Sequence, residues 1–92
     1  MKSYMVIATF KPETTMDDIS PLIPAEQAQA KILEDRGAIG SIKIAMPRRT
    51  VFLEAFGEDE SDVVTAIESL PMAALWDIEY FETTPPAGPA AE

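Results

Sequence analysis

The sequence predicts an α+β fold of two βα units packed against each other, and three observations support this. Between Glu68 and Thr83, a helical pattern ends at Leu70-Pro71 and a strand pattern begins at Asp77. Proline lacks a backbone N–H and disfavours helix in the residue before it, so we expect the helix to end here. A helix followed by a strand also occurs earlier, around Gly37. Finally, 92 residues with 47% hydrophobic content suit one small domain.

The first half of the chain predicts a strand, a helix and a second strand. Ser3–Phe10 is the strand, with Tyr4, Val6, Ala8 and Phe10 on one side and Met5 and Ile7 on the other. A loop follows from Lys11 to Pro21. The helix is expected from Pro24 to Arg36, since proline suits a first helical turn and Gly37 a left-handed end. Its apolar stripe is predicted to comprise Ala25, Ala28, Ile32 and Leu33.

The second half repeats this pattern after a hairpin. Ile39–Met46 alternates between apolar and other residues, and Thr50–Phe56 follows a short turn, so the two predict antiparallel strands. Asp59 or Ser61 can cap the next helix, Asp62–Leu70. That helix is expected to bury four residues, Val63, Ala66, Ile67 and Leu70, and the last strand runs from Asp77 to Thr83.

The order β-α-β-β-α-β is typical of the ferredoxin-like fold. It predicts a four-stranded antiparallel sheet with both helices on one face. Residues 1–83 would form this single domain, and the Pro-rich residues 84–92 a tail or arm. Apolar residues lie on both sides of three strands, which predicts a partner on the uncovered face. A second copy of the chain is the simplest such partner.

Composition and charge exclude several classes of function. The chain has no cysteine and no histidine, which excludes disulfides, thiolate catalysis and imidazole bases or metal ligands. Its net charge of −9 opposes binding to nucleic-acid phosphates or an anionic membrane surface. No apolar run approaches the roughly 20 residues that cross a bilayer, and no signal peptide is evident. We therefore expect a cytoplasmic protein without nucleic-acid, membrane or metal partners.

At Ser69–Met72 and Trp76–Glu79, a helix ending in Leu-Pro leads through a hydrophobic turn into an Asp-Ile-Glu strand. This segment resembles the muconolactone isomerase family. Ile42–Ala45 and Val51–Phe56 lie where that family has its hairpin, and the tail from Pro85 looks like its C-terminal extension. The resemblance implies a dimeric α/β barrel that can assemble into a ring of dimers. It also implies a cofactor-free proton shift in a small lactone carboxylate from aromatic degradation.

Glu54 is the candidate catalytic residue. It lies in the middle of the third strand, on the same side as Phe52 and Phe56. A carboxylate between two aromatic side chains is expected to lose water, which would raise its pKa towards that of a useful general base. The alternative is a Glu54 that faces solvent or pairs with Lys43 across the hairpin.

The candidate substrate-binding residues are Lys43, Arg48, Arg49 and Tyr4. The three cations lie at one hairpin and could hold a substrate carboxylate, which Arg binds in a planar, two-pronged geometry. They could instead offset the acidic surface and protect the sheet edge. Tyr4 could orient an enolate, although aromatic residues on strands are usually core or interface. For Trp76, packing at a subunit contact is favoured over ligand stacking.

Two functions of different classes follow. The first is a cofactor-free isomerase with its pocket between helices and sheet or at the dimer contact. Glu54 would be its base, and Arg48 or Arg49 its carboxylate anchor. The second is a non-catalytic small-molecule-binding or assembly module of the same fold. A buried Glu54 facing a cavity would favour the enzyme, and an exposed Glu54 the module.

Overall fold

A computed structural model describes residues 1–85 of the chain, and residues 86–92 of the expected tail lie outside this part. The strands and helices, in chain order, are β1 (Lys2–Phe10), α1 (Met16–Ile19), α2 (Ile23–Asp35), β2 (Ile39–Ala45), β3 (Thr50–Gly57), α3 (Glu60–Glu68) and β4 (Trp76–Thr83). Short 3-10 turns lie at Ser20–Leu22, Met46–Arg48 and Pro71–Leu75. None of the helices within residues 1–85 combines the length and the apolar character that a membrane span needs.

The four strands form one antiparallel sheet in the order β2-β3-β1-β4. Strands β1 and β3 are therefore central, and β2 and β4 are the edges. In the register, Val6 lies between Leu53 and Tyr80, and Phe10 faces Trp76. The element order and the sheet confirm the predicted ferredoxin-like α+β fold.

One face of the sheet carries the core and is covered by α2 and α3. The core includes Val6 and Ala8 of β1 and Leu53 of β3, all with at most 1% of their surface exposed. From α3 and the residues after it, the four predicted positions are buried: Val63, Ala66, Ile67 and Leu70. The apolar spacing of α3 therefore gave its buried face correctly.

Local chemistry explains where the main helices end and begin. Gly37 takes a left-handed conformation with φ 75°, as predicted for the residue that ends α2. Asp59 caps α3, because its Oδ1 accepts a hydrogen bond from the backbone N–H of Asp62 at 3.1 Å. That cap starts α3 two residues earlier than predicted. Pro71 lies at the start of a 3-10 turn, beyond the end of α3.

The region expected to be a loop, Lys11–Pro21, contains the short helix α1 and part of a 3-10 turn. Its capping residue is Thr15, whose backbone N–H and hydroxyl both donate to the Asp18 carboxylate. The sequence reading missed this helix because α1 has only four residues and no apolar stripe. Together with α2, it forms a wall above the β2 side of the sheet.

The predicted apolar stripe of α2 is wrong apart from one residue. Leu33 is buried, but Ala25 and Ala28 are exposed and Ile32 is 52% exposed. The face directed at the sheet instead carries Ile23, Glu26 and Ala30, which line a cavity together. Alanine is abundant all around this helix, so its periodicity was too weak to fix the phase. The consequence is functional, because Glu26 lies on the inner face.

The other face of the sheet, here called the open face, is not covered by α2 or α3. Its apolar members are Met5, Ile7, Phe52, Phe56 and Phe81. Within one subunit Phe81 is 46% exposed, and the other four are partly exposed. The predicted alternation of β1, with Met5 and Ile7 away from the core, is confirmed.

Candidate functional site

A cleft of about 430 Å³ separates the α1–α2 wall from the sheet. Its lining is almost entirely apolar and comes from all four strands, both helices of the wall and the two later 3-10 turns. The lining residues are Phe10, Met16, Ile19, Ile23, Glu26, Gln27, Ala30, Ile42, Ile44, Met46, Val51, Leu53, Met72 and Trp76. A cavity of this size and character is typical of small-molecule sites.

The cleft opens to solvent along one rim in the single subunit. Met16, Ile44 and Met46 line it, and each is at least 60% exposed. Flexible methionine side chains at a rim can adapt to different apolar ligands. This rim is therefore the most direct entrance for a ligand.

Among residues 1–85, Glu26 is the only carboxylate in the lining of the cleft. Its Oε1 accepts a hydrogen bond from the backbone N–H of Met72 at 2.9 Å, so the side chain is tied to the turn before β4. Burial raises the pKa of Glu26 above its ordinary value of 4.5, and the bond from Met72 only partly opposes this. Glu26 is therefore a fixed, partly desolvated carboxyl group, which is what a proton-transfer residue requires.

A smaller hollow of about 340 Å³ adjoins the cleft and contains Arg49. The two cavities share walls, among them Phe10 and Ile44. Arg49 has a left-handed backbone with φ 51°. Its Nη2 donates to the carbonyl oxygens of Thr14 at 2.7 Å and Lys11 at 3.3 Å. These bonds fix the guanidinium beside one end of the apolar cleft.

Glu54, the predicted general base, lies on the open face and does not line the cleft. It is exposed, and its Oε1 accepts hydrogen bonds from the backbone N–H of Ser41 at 3.1 Å and the Ser41 hydroxyl at 2.9 Å. A Cβ at Gly40 would come within 2.8 Å of the same oxygen, so the side chain fits closely against this glycine.

The prediction of a raised pKa for Glu54 is wrong for the single subunit. The two bonds from Ser41 lower the pKa of Glu54 and outweigh its partial desolvation, with a smaller lowering effect from Lys43. Ser41 lies where β2 slips in register against β3, between Ile39 and Ile42. Glu54 thus pairs with a backbone N–H at an irregularity of the sheet. Its catalytic role stays a prediction.

The four predicted binding residues do not come together. Lys43 is exposed on β2, opposite Phe52 and next to the open face. Arg48 is exposed in the hairpin turn, and Tyr4 is 3% exposed in the core, opposite Ala55. Burial is the main cause that raises the pKa of Tyr4. Only Arg49 lies next to the cleft.

The sequence analysis missed Glu26 and the place of Trp76. Glu26 is outside the apolar stripe that the sequence predicts for this helix, so the sequence did not single it out. A stripe drawn from Ile23 through Ala30 to Leu33 would have put it on the inner face. Trp76 is 5% exposed and packs edge-on against Phe10, with ring centroids 6.0 Å apart. It therefore packs within the subunit and lines the cleft.

Fold and cleft define the class: an α+β protein of ferredoxin-like topology with an apolar cavity between helices and sheet. Comparison with protein-family models and with curated proteins finds no match for the chain.

Proposed function

We propose that this protein is a small cofactor-independent isomerase resembling the muconolactone isomerases, acting on a small lactone carboxylate or a related aromatic-derived metabolite in the cytoplasm. The observation that carries the proposal is Glu26, a carboxyl group with a raised pKa that lines an almost entirely apolar cleft. The substrate binds in this cleft, and Glu26 moves the proton.

The chemistry needs one group that first accepts and then returns a proton. Ionised Glu26 takes a proton from the carbon next to a double bond that is conjugated with the lactone carbonyl. The electron pair of the broken C–H bond moves into the conjugated system and onto the carbonyl oxygen. Protonated Glu26 then gives its proton to another carbon of the same system, which shifts the double bond. A raised pKa makes Glu26 a stronger base than an ordinary carboxylate and lets it hold the proton between the steps.

Arg49 is the proposed anchor for the substrate carboxylate. It lies in the hollow next to the cleft, and its bonds to the carbonyl oxygens of Lys11 and Thr14 use only Nη2. The remaining N–H donors of the guanidinium can bind a carboxylate. The apolar body of the substrate then extends into the cleft towards Glu26. An Arg in this place also offers local positive charge in a chain of net charge −9.

The enzyme is proposed to work as a homodimer in which the open faces of two subunits meet, with a ring of dimers as a further assembly. The five apolar side chains of the open face support this, because a monomer rarely exposes a contiguous apolar patch of more than a few hundred Å². A two-fold axis would bring the same patch from each subunit together. Glu54 and Ser41 would lie at or near that contact.

The second candidate is a binding module without catalysis. Two observations favour it: Glu26 already has a backbone partner in Met72, and Glu54 is exposed on the open face. On this hypothesis Glu26 fixes the turn before β4, and the cleft holds an apolar ligand without reacting with it. Both candidates share the cleft and differ in whether a proton moves.

The test is to follow muconolactone by NMR with the full-length protein in buffered D₂O. The isomerase proposal expects the double bond to shift faster than in buffer alone. Deuterium enters at the carbon that receives the proton to the extent that protonated Glu26 exchanges with D₂O before it returns the proton. Shifted cleft resonances without turnover would instead support the binding module. If muconolactone neither reacts nor perturbs the cleft, the proposed substrate is wrong.

A further inference from the structure

Strand β4 carries two buried hydrogen-bond donors that have no acceptor within residues 1–85. They are Nε1 of Trp76 and the hydroxyl of Tyr80. Both side chains project from the helix-covered face of the strand, opposite Phe10 and Val6 respectively. A buried donor without an acceptor costs about 1–3 kcal/mol, so native proteins rarely keep one without a reason.

Only one of these two donors belongs to a residue of the cleft. Trp76 lines both the cleft and a shallow hollow of about 520 Å³ beside β4, whereas Tyr80 lines the hollow alone. The indole is held in place by its edge-on contact with Phe10. In the chain, Trp76 comes directly after the 3-10 turn in which the backbone N–H of Met72 donates a hydrogen bond to Glu26. The indole and the Glu26 carboxyl group are thus walls of the same cavity, connected through one turn.

We propose that the indole N–H of Trp76 binds the carbonyl oxygen of the substrate and so selects molecules with an oxygen acceptor next to the reacting carbon. This inference rests on the isomerase proposal for the cleft. It gives the apolar wall at Trp76 one polar contact. This contact is a hydrogen-bond donor, whereas ionised Glu26 is an acceptor. A hydrocarbon ligand of the same shape would leave this donor unpaired and would bind less well.

The contact is strongest where the reaction needs it. When Glu26 takes the proton, the electron pair of the broken C–H bond moves to the carbonyl oxygen, which gains negative charge. The proton of the indole N–H stays on the nitrogen throughout. The N–H group stabilises the negative charge on the oxygen by a hydrogen bond. The proton then returns from Glu26 to the second carbon, and the carbonyl is restored. A donor fixed in advance in an apolar site stabilises such charge better than water does.

The first measurement uses the fact that the chain has a single tryptophan. In ¹⁵N-labelled full-length protein the indole N–H gives one resonance, which is followed while muconolactone is added. We expect it to move downfield and to exchange more slowly with solvent, as for a donor that gains an acceptor. An indole resonance that stays in place while the amide signals of Ile23 and Ala30 shift would overturn the inference. This readout does not depend on any variant folding.

The second measurement compares Trp76→Phe with Tyr80→Phe, which removes a donor of the same kind that lies outside the cleft. We expect Trp76→Phe to lower turnover of muconolactone by roughly 10²-fold, the usual cost of losing a donor to a developing oxyanion. Tyr80→Phe is expected to stay within about threefold of the wild type. Equal losses in both variants would place the ligand in the hollow and overturn the inference.

Glu26→Gln separates this inference from the function on which it rests. If Glu26→Gln is inactive and Trp76→Phe is as active as the wild type, the isomerase proposal stands and the role of Trp76 is wrong. If the wild type neither turns over nor binds muconolactone, the isomerase proposal fails and takes the inference with it. If the Glu26→Gln variant is inactive, yet muconolactone still moves its indole resonance, both proposals are supported.

Discussion

The two faces of the sheet each hold one notable glutamate, and the two groups have opposite properties. Glu26 enters the cleft from the helix side, and burial raises its pKa. Glu54 lies on the open face, and hydrogen bonds from Ser41 lower its pKa. Both carboxylates accept a backbone N–H, from Met72 and Ser41 respectively. The difference lies in what else surrounds each group.

Around Glu54, the flanking Phe52 and Phe56 exclude too little water for desolvation to dominate the pKa of the carboxyl group. Only one sheet layer lies there in the single subunit, so the carboxylate remains exposed. Glu26 has a second layer against it, the sheet on one side and its own helix on the other. Aromatic neighbours along a strand are therefore a poor indicator of desolvation, and an opposing layer of structure is a better one.

The largest expected effect comes from Glu26→Gln compared with Glu54→Gln. Gln keeps the shape and can still accept the bond from Met72, but it cannot take a proton. We expect Glu26→Gln to lower turnover of muconolactone by about 10² to 10⁴-fold, the worth of a general base. Glu54→Gln is expected to stay within about threefold. Steady-state turnover rates of both variants and the wild type, measured in the same buffer, give this comparison.

Glu60→Gln is the matched control, because Glu60 is exposed in the first turn of α3. Should Glu54→Gln abolish turnover while Glu26→Gln keeps it, the open face would hold the reaction, as the sequence first indicated. In that case the dimer contact would be the site, and the cleft a structural void.

A second effect should follow from placing a charge on the open face. Phe52→Asp puts a carboxylate among Ile7, Phe56 and the other apolar side chains that we expect to be buried between subunits. An unpaired buried charge costs about 3–5 kcal/mol, so the dissociation constant should rise at least about 10²-fold. Sedimentation velocity or light scattering at micromolar concentration measures the change.

The control for this variant is Ala28→Asp, which adds the same charge to an exposed position of α2. It should leave the assembly unchanged. A wild-type protein that behaves as a 10.0 kDa monomer would refute the dimer before any variant is needed.

Arg49 and Arg48 provide a third, smaller comparison at the end of the cleft. Arg49→Ala removes the proposed carboxylate anchor, and we expect KM to rise by roughly 10-fold, since a charged hydrogen bond contributes about 1.5–3 kcal/mol. The exposed Arg48→Ala should leave KM within about twofold. A muconolactone analogue without the carboxylate separates anchoring from loosening of the loop at Thr14. If Arg49→Ala raises KM equally for both compounds, Arg49 only supports the loop.

The sequence predicted the fold well because the fold depends on patterns that repeat over several residues. The buried face of α3, the alternation of β1 and the stops at Gly37 and Pro71 all belong to this class. The candidate site was predicted poorly because it depends on the phase of α2. In that helix, alanines surround Ile23 and Leu33 on every side, and a one-residue shift decides whether Glu26 faces solvent or the cleft. The bonds from Ser41 to Glu54 could not be foreseen, since they depend on a register slip between β2 and β3.

The opposite pKa shifts also predict opposite effects of pH on stability. Because the pKa of Glu26 is raised, its contribution is greatest below about pH 4.5 and falls as pH rises through the folded-state pKa. The contribution of Glu54 is present above about pH 4.5 and is lost as pH falls through its lowered pKa. Relative to wild type, Glu26→Gln should gain stability with rising pH, and Glu54→Gln should lose it. Urea unfolding between about pH 3 and pH 7 measures both slopes, that of Glu54 below about pH 4.5 and that of Glu26 above it, and slopes of the same sign would contradict the comparison.

The smallest expected effect is that of Ser41→Ala, which tests why Glu54 differs from Glu26. The change removes the hydroxyl bond to Glu54 but keeps the bond from the Ser41 backbone N–H. Because the site is exposed, we expect only a small loss in the free energy of unfolding. The pKa of Glu54, followed by NMR, should move back towards its ordinary value, because one of its two strongest lowering causes is gone. The matched control is Ser3→Ala, which changes an exposed serine near the start of β1. Turnover in the cleft should not change in either variant. If Ser41→Ala lowers turnover as far as Glu26→Gln does, the ionisation of Glu54 governs the reaction and the separation of the two faces is wrong.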